Sequence, residues 1–187
     1  MSSDVLVTTP AQRQTEPHAE AVSRNRRQQA TFRKVLAAAM ATLREKSYAD
    51  LTVRLVAARA KVAPATAYTY FSSKNHLIAE VYLDLVRQVP CVTDVNVPMP
   101  IRVTSSLRHL ALVVADEPEI GAACTAALLD GGADPAVRAV RDRIGAEIHR
   151  RITSAIGPGA DPGTVFALEM AFFGALVQAG SGTFTYH

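Results

Sequence analysis

From Phe32 onward the apolar residues recur at a helical period. Phe32, Val35, Leu36, Ala39, Met40 and Leu43 fall on one stripe, with Arg33, Lys34, Arg44 and Glu45 outside it. The pattern predicts an amphipathic helix from about Arg24 to Lys46, ended by Ser47-Tyr48-Ala49-Asp50. Two short helices follow. Thr52 can cap the first, Val53 to Ala60, by accepting an otherwise unpaired first-turn N–H. In it Leu55, Val56 and Ala60 are expected to face inward, and Ala57 is small enough for a close helix crossing. The second opens on Pro64, where a missing N–H costs nothing, and runs to Phe71. Ser72 or Ser73 then caps a fourth helix whose apolar face is Leu77, Ile78, Val81, Leu85 and Val89. Pro90, Pro98 and Pro100 bound a loop that is the best domain boundary in the chain.

The second half repeats the helical reading. Helices are predicted from about Arg102 to Ala115, from Pro118 to Leu129, from Pro135 (capped by Asp134) to Ile156, and from Pro162 to near Gly180. The last is apolar on almost every side, as in Val165, Phe166, Leu168, Met170, Phe172, Phe173, Leu176 and Val177, so it must be buried in its own core or against a partner. No segment has a strand period and no internal repeat is visible. The expected fold is all-α, with a polar mobile arm over residues 1–23, a basic head over 24–89 and a helical body over 90–187.

Charge sharpens this division. The chain of 187 residues has a net charge of +3. Residues 24–87 carry twelve Lys and Arg against four Asp and Glu, whereas residues 88–187 carry seven against ten. A surplus confined to the segment with two short helices is the electrostatic footprint of a module facing phosphates. There is no run of eighteen apolar residues and no apolar signal core near the N-terminus, so a cytoplasmic protein without a membrane span is expected. Cys91 and Cys124 lack metal-ligand spacing and read as small hydrophobes. His76 and Glu80 lie at i, i+4, a ligand spacing that lacks a third partner. No metal, cofactor or catalytic constellation is expected, nor any enzymatic activity.

The stretch from Thr52 to Lys74 carries the most information. Thr52-Val53-Arg54, Val56-Ala57, Ala60, Val62, Thr66, Tyr68, Tyr70-Phe71 and Ser73-Lys74, continuing to Leu77, follow without a gap. This resembles the DNA-binding domain of the TetR family of bacterial transcriptional regulators. The resemblance implies a three-helix head with its recognition helix at Pro64 to Phe71. It also implies a helical body that dimerises and usually holds a small-molecule pocket. The family normally adds a ninth helix, whereas this sequence ends soon after its eighth, so either it is truncated or its dimer relies on residues 162 to 179. Positions often glycine in the family are Ser47, Lys61 and Ala65 here, and Ala63 stands where a capping Ser is common. A non-glycine in a left-handed turn at Lys61 would cost about 1 kcal/mol.

Carried over position by position, the resemblance implies phosphate contacts at Thr66, Tyr70 and Lys74. It implies base contacts from Arg54, Pro64, Ala65, Tyr68 and Thr69. An arginine can bind guanine O6 and N7 in a bidentate way, while Pro64, Ala65 and the Thr69 methyl offer only apolar contact to thymine methyls. A reader so poor in hydrogen-bonding side chains leaves part of its specificity to DNA shape. Tyr68 and Tyr70 can instead close the small head as half-buried aromatics, and Phe71 belongs to that core. Arg24, Arg26 and Arg27 can enter a minor groove or remain solvated. In the body, Leu107, His109, Leu110, Val114, Leu128, Met170 and Phe173 can line a pocket, although such stripes are commonly core. The reading is a ligand-responsive repressor that binds double-stranded operator DNA as a homodimer and takes a small hydrophobic effector. An architectural DNA-binding protein without sequence preference, or a small helical carrier or enzyme, are the alternatives.

Overall fold

The computed structural model describes residues 17–180, with side chains from 25 to 179. The expected arm up to residue 16, the side chain of Arg24 and residues 181–187 lie outside the described residues. Within them the chain forms eight helices and no strand: α1 (Pro17–Leu43), α2 (Val53–Arg59), α3 (Pro64–Tyr70), α4 (Lys74–Gln88), α5 (Met99–Ala111), α6 (Pro118–Asp130), α7 (Pro135–Ile156) and α8 (Pro162–Gly180). Single 3-10 turns at Leu112–Val114 and Gly131–Ala133 extend α5 and α6.

Helix α1 begins seven residues before the expected Arg24. Pro17 sits at its first position, where proline is favoured. A polar helical extension has no apolar stripe, so the period that located the rest of α1 could not reveal it. On α1 the predicted stripe does face the core: Val35, Leu36, Ala39 and Leu43 are buried, and Phe32 and Met40 pack partly buried against them.

Local chemistry explains where the short helices start and stop. The Thr52 hydroxyl accepts the Leu55 N–H at 3.1 Å, capping α2. At the other end Lys61 takes a left-handed conformation (φ +53°). Its N–H donates to the Ala58 carbonyl at 3.0 Å and the Val62 N–H to the Ala57 carbonyl at 2.9 Å. This pair of reversed bonds is a Schellman termination, which normally favours glycine. Val53, Val56, Ala57 and Ala60 are buried from α2, whereas Leu55, expected inward, is only half-buried. Helix α3 starts on Pro64 without a side-chain cap, as Ala63 implies.

Helix α4 is the shared element. It packs against α1 on the head side and against α6 and α7 in the body, and α5 lies on α7. Buried side chains of head and body form one continuous cluster from Val35 to Phe172. Two buried arginines fasten helix C-termini, where the free carbonyls and the dipole favour a cation. Arg151 on α7 donates to the Val89 carbonyl at 2.9 Å and the Arg87 carbonyl at 3.1 Å, closing the end of α4. Arg102 on α5 donates to the Ala155 and Ile156 carbonyls at 2.8 and 2.9 Å, closing the end of α7.

The sequence predicts that helix α8 is buried, in its own core or against a partner. It buries Val165 and Phe172, but Phe166 remains 60% exposed, Met170 48% and Val177 49%. Over Pro162–Ala179 its mean hydropathy of 1.3 makes it long and apolar enough to cross a membrane, although no unbroken apolar run exists there. It also carries Glu169, paired with His149 of α7 at 2.8 Å.

Candidate nucleic-acid interface and cavity

In the head, α3 is a seven-residue helix held from beneath by an aromatic group. Ala67 and Phe71 are buried. Phe71 stacks on Phe32 of α1 with centroids 5.0 Å apart, and Tyr70 meets the same Phe32 ring edge-on at 6.1 Å. This packing fixes α3 on α1 and decides which of its faces is free. Pro64, Ala65, Thr66, Tyr68 and Thr69 are exposed together, and Tyr70 is half-buried. The Thr69 hydroxyl donates to the Ala65 carbonyl at 3.1 Å, so its methyl is the part left to present. Lys74 is less available than the sequence suggested. Its ammonium donates to the Tyr48 carbonyl at 3.1 Å and lies 4.3 Å from the centre of the Tyr48 ring. Burial pushes the Tyr48 phenol up to about 12, so it stays protonated and donates to Asn75 Oδ1 at 2.5 Å.

Charge around α3 divides into paired and unpaired groups. Arg59 is held by Glu45 through two bonds of 2.5 and 2.6 Å, and Arg44 is held by Glu117 of the body. Arg26, Arg27, Arg54 and Lys61 are exposed and form no ion pair among the described residues. Arg54 stands in the first turn of α2. Lys61, in the turn just before α3, is a further exposed cation that the base-contact and phosphate-contact reading passed over. Its non-glycine identity at a turn position was the available signal.

The head is tied to the body through α4. Ser73 caps α4 by accepting the His76 N–H at 3.0 Å, and its hydroxyl donates to Asp134 Oδ2 at 2.9 Å. The other Asp134 oxygen accepts the Ala136 N–H at 2.9 Å and caps α7. One hydrogen bond therefore joins two helix caps. His76 Nδ1 accepts the Ser72 N–H at 3.2 Å, while Nε2 lies 3.8 Å from the buried Glu80. Burial alone would push the Glu80 carboxyl up, but His76 and Arg143, the latter at 2.5 Å, outweigh it and hold it below the usual range. His76 and Glu80 thus serve this junction, and no group of three metal-ligating side chains exists among the described residues.

In the body, α4, α6, α7 and α8 enclose a cavity of about 570 Å³. Val114, Leu128, Met170 and Phe173 line it, together with Tyr82, Ile144, Leu176 and Val177. Leu107, His109 and Leu110 do not line it. Leu110 is buried core and His109 is exposed on the outer face of α5, because α5 packs on α7 and lies away from the space beside α8. Cys124, Thr125, Gly132 and Arg141 also reach the cavity. Burial raises the Cys124 thiol to about 12, so it is a neutral wall group. Gly131, next to the wall, is required by close packing: a Cβ there would come within 2.9 Å of the Val137 side chain.

Residues 35–81, which span the end of α1 through most of α4, match the family model of bacterial regulatory proteins of the tetR family. The whole fold is similar to a TetR transcriptional regulator from Rhodococcus sp. RHA1, with a TM-score of 0.71 and 22% identity over 86% of this chain and 89% of that one. Looser likenesses, on which nothing rests, are to candidate transcription regulators from Lactobacillus plantarum (TM-score 0.40, 17% identity, 82% and 88% covered) and Pseudomonas aeruginosa PAO1 (TM-score 0.46, 18% identity, 92% and 86% covered). Residues 35–81 therefore match the tetR family of bacterial regulatory proteins, and the described residues around them share the fold of a TetR transcriptional regulator.

Proposed function

We propose that this chain is a ligand-responsive transcriptional repressor that binds a near-palindromic operator as a homodimer. The observation that carries the ligand response is the route from cavity to head. Gly132 lines the cavity two residues before Asp134, and Asp134 holds the Ser73 cap at the start of α4. A ligand that displaces the Gly131–Ala133 turn acts on the helix that directly follows the recognition helix. It shifts operator occupancy only as far as it binds the DNA-incompetent arrangement more tightly.

On DNA, α3 enters the major groove with Pro64, Ala65, Tyr68 and Thr69 against base edges, and Arg54 reaches a guanine from α2. Thr66 and the Tyr70 hydroxyl contact phosphates. Lys74 contributes a fixed positive charge beside the Tyr48 ring more than a mobile contact, and Arg26 and Arg27 extend the basic surface along α1. The part of α8 that does not face the cavity, with the exposed Phe166, packs against the same face of a second copy and so covers apolar surface that a lone chain leaves in water. The chain acts in the cytoplasm and performs no chemical step.

Selection of bound sequences from a random DNA pool tests this reading. The expected result is a near-palindrome whose half-sites lie about 34–36 Å apart, one helical turn. Retention of DNA without any sequence enrichment would indicate an architectural protein instead.

A further inference from the structure

The cavity's wall chemistry says what kind of molecule it accepts, and this inference rests on the reading of that cavity as the effector site. Its polar groups are few and mostly engaged. The Thr125 hydroxyl donates to the Gly121 carbonyl at 3.0 Å, and the buried Cys124 thiol is uncharged. Among the described residues no carboxylate lines the space, and the one charged wall residue is Arg141 of α7. The Arg141 guanidinium gives one N–H to the Leu128 carbonyl, is otherwise exposed, and forms no ion pair among the described residues. A cation entering here would meet like charge and no counter-ion. An anion on an aliphatic body would find a guanidinium at the rim and an apolar interior behind it.

We propose that the cavity binds an acidic amphiphile, an unbranched aliphatic chain whose carboxylate head pairs with Arg141. The chain lies among Leu128, Ile144, Phe173 and Leu176, and the head stays at the rim. Arg141 stands one turn before Ile144 on the cavity face of α7, so head group and chain are met from one side of the same helix.

Calorimetric titration of the full chain with three ligands of one chain length tests this: decanoate, decanol and decyltrimethylammonium, each below its micelle concentration. Decanoate is expected to bind tightest, about threefold or more over decanol, with the cation weakest. From octanoate to dodecanoate each added methylene tightens binding up to about fourfold. In Arg141→Gln the decanoate advantage disappears while decanol binding is unchanged, and that unchanged binding verifies that the variant is folded. Equal binding of the cation and the acid, persistence of the decanoate preference in Arg141→Gln, or binding of none of the three would each overturn the proposal. These titrations contain no DNA. Operator binding with no response to any of the chains would sink this proposal and spare the regulator. Decanoate binding through Arg141 in a chain without DNA affinity would support the ligand class and sink the regulator.

Discussion

At Lys61 the backbone holds a conformation with φ +53° that glycine adopts freely and other residues adopt at a cost. Replacement by glycine removes that cost but loosens the unfolded chain, so Lys61→Gly is expected to stabilise the protein by up to about 0.5 kcal/mol. Thermal unfolding would register a rise of up to about 2 °C, and a lower midpoint would contradict the strain. Because the same change deletes an unpaired cation beside α3, operator affinity is expected to fall as stability rises. Arg54 presents a different case. It is exposed, unpaired and free to reorient, so Arg54→Ala is expected to leave the melting temperature within error. The same change should remove about 1–3 kcal/mol of discrimination at one guanine, read by competition between operator variants. Individual side chains differed in how well the sequence disclosed them. The Thr52 cap was legible because it depends on a neighbour three positions away, and Phe71 because a large apolar side chain is expected in a core, although its partner Phe32 lies far off in the sequence. The engagement of Lys74 with Tyr48 was not, because those residues lie 26 positions apart and meet only after α4 has docked.

Helix ends were the most legible elements. Asp134 with Pro135 and Gly157 marked both limits of α7, since caps, a first-turn proline and a left-handed glycine (φ +90° at Gly157) are local solutions to unpaired backbone groups. What joins one helix end to another was not legible. Ser72 or Ser73 is the cap that the sequence predicts for α4 and Asp134 the one for α7, but the bond between Ser73 and Asp134 spans 61 residues. A double-mutant cycle on Ser73→Ala and Asp134→Ala tests whether those caps act as one unit. Each single change is expected to cost about 1 kcal/mol, and the pair to couple by about 0.5 kcal/mol or more. Strict additivity would mean that the two helix starts are independent. The Arg151 clamp makes a pH prediction. Bonds from Arg150, and then from Arg151, hold the Glu147 carboxyl down to about 2 against an ordinary 4.5. A depressed folded-state value means that the ionised form stabilises the fold. That stability is fully present above about pH 4.5 and is lost as pH falls towards 2. Wild type should therefore melt well above Glu147→Gln at pH 7, with the gap closing between pH 4.5 and 2. A gap independent of pH would show that the carboxylate charge contributes nothing.

Across the whole molecule, the all-α fold followed from the absence of any strand period and from the repeated proline-and-cap starts. The position of the cavity was only half legible. Apolar stripes on α5 and α8 look equivalent in sequence, yet α5 turns Leu110 into the core beside α7 while α8 turns Met170 and Phe173 into open space. Which stripe becomes core and which becomes wall depends on helix docking, which local pattern does not encode. The same holds for α8, which leaves Phe166, Met170 and Val177 exposed. Phe166 does not line the cavity, so Phe166→Glu is expected to leave the fold and ligand binding intact while converting a dimer to a monomer in sedimentation. A dimer that survives the added charge would place the interface elsewhere.

Fluorescence anisotropy on the DNA flanking this chain's own gene, against scrambled DNA over a salt series, tests the central claim most directly, with wild type and Arg54→Ala side by side. The account predicts preference for one short near-palindrome that persists as salt rises and is weakened or relaxed by Arg54→Ala. Equal binding of both DNAs, falling steeply with salt and indifferent to Arg54, would contradict it.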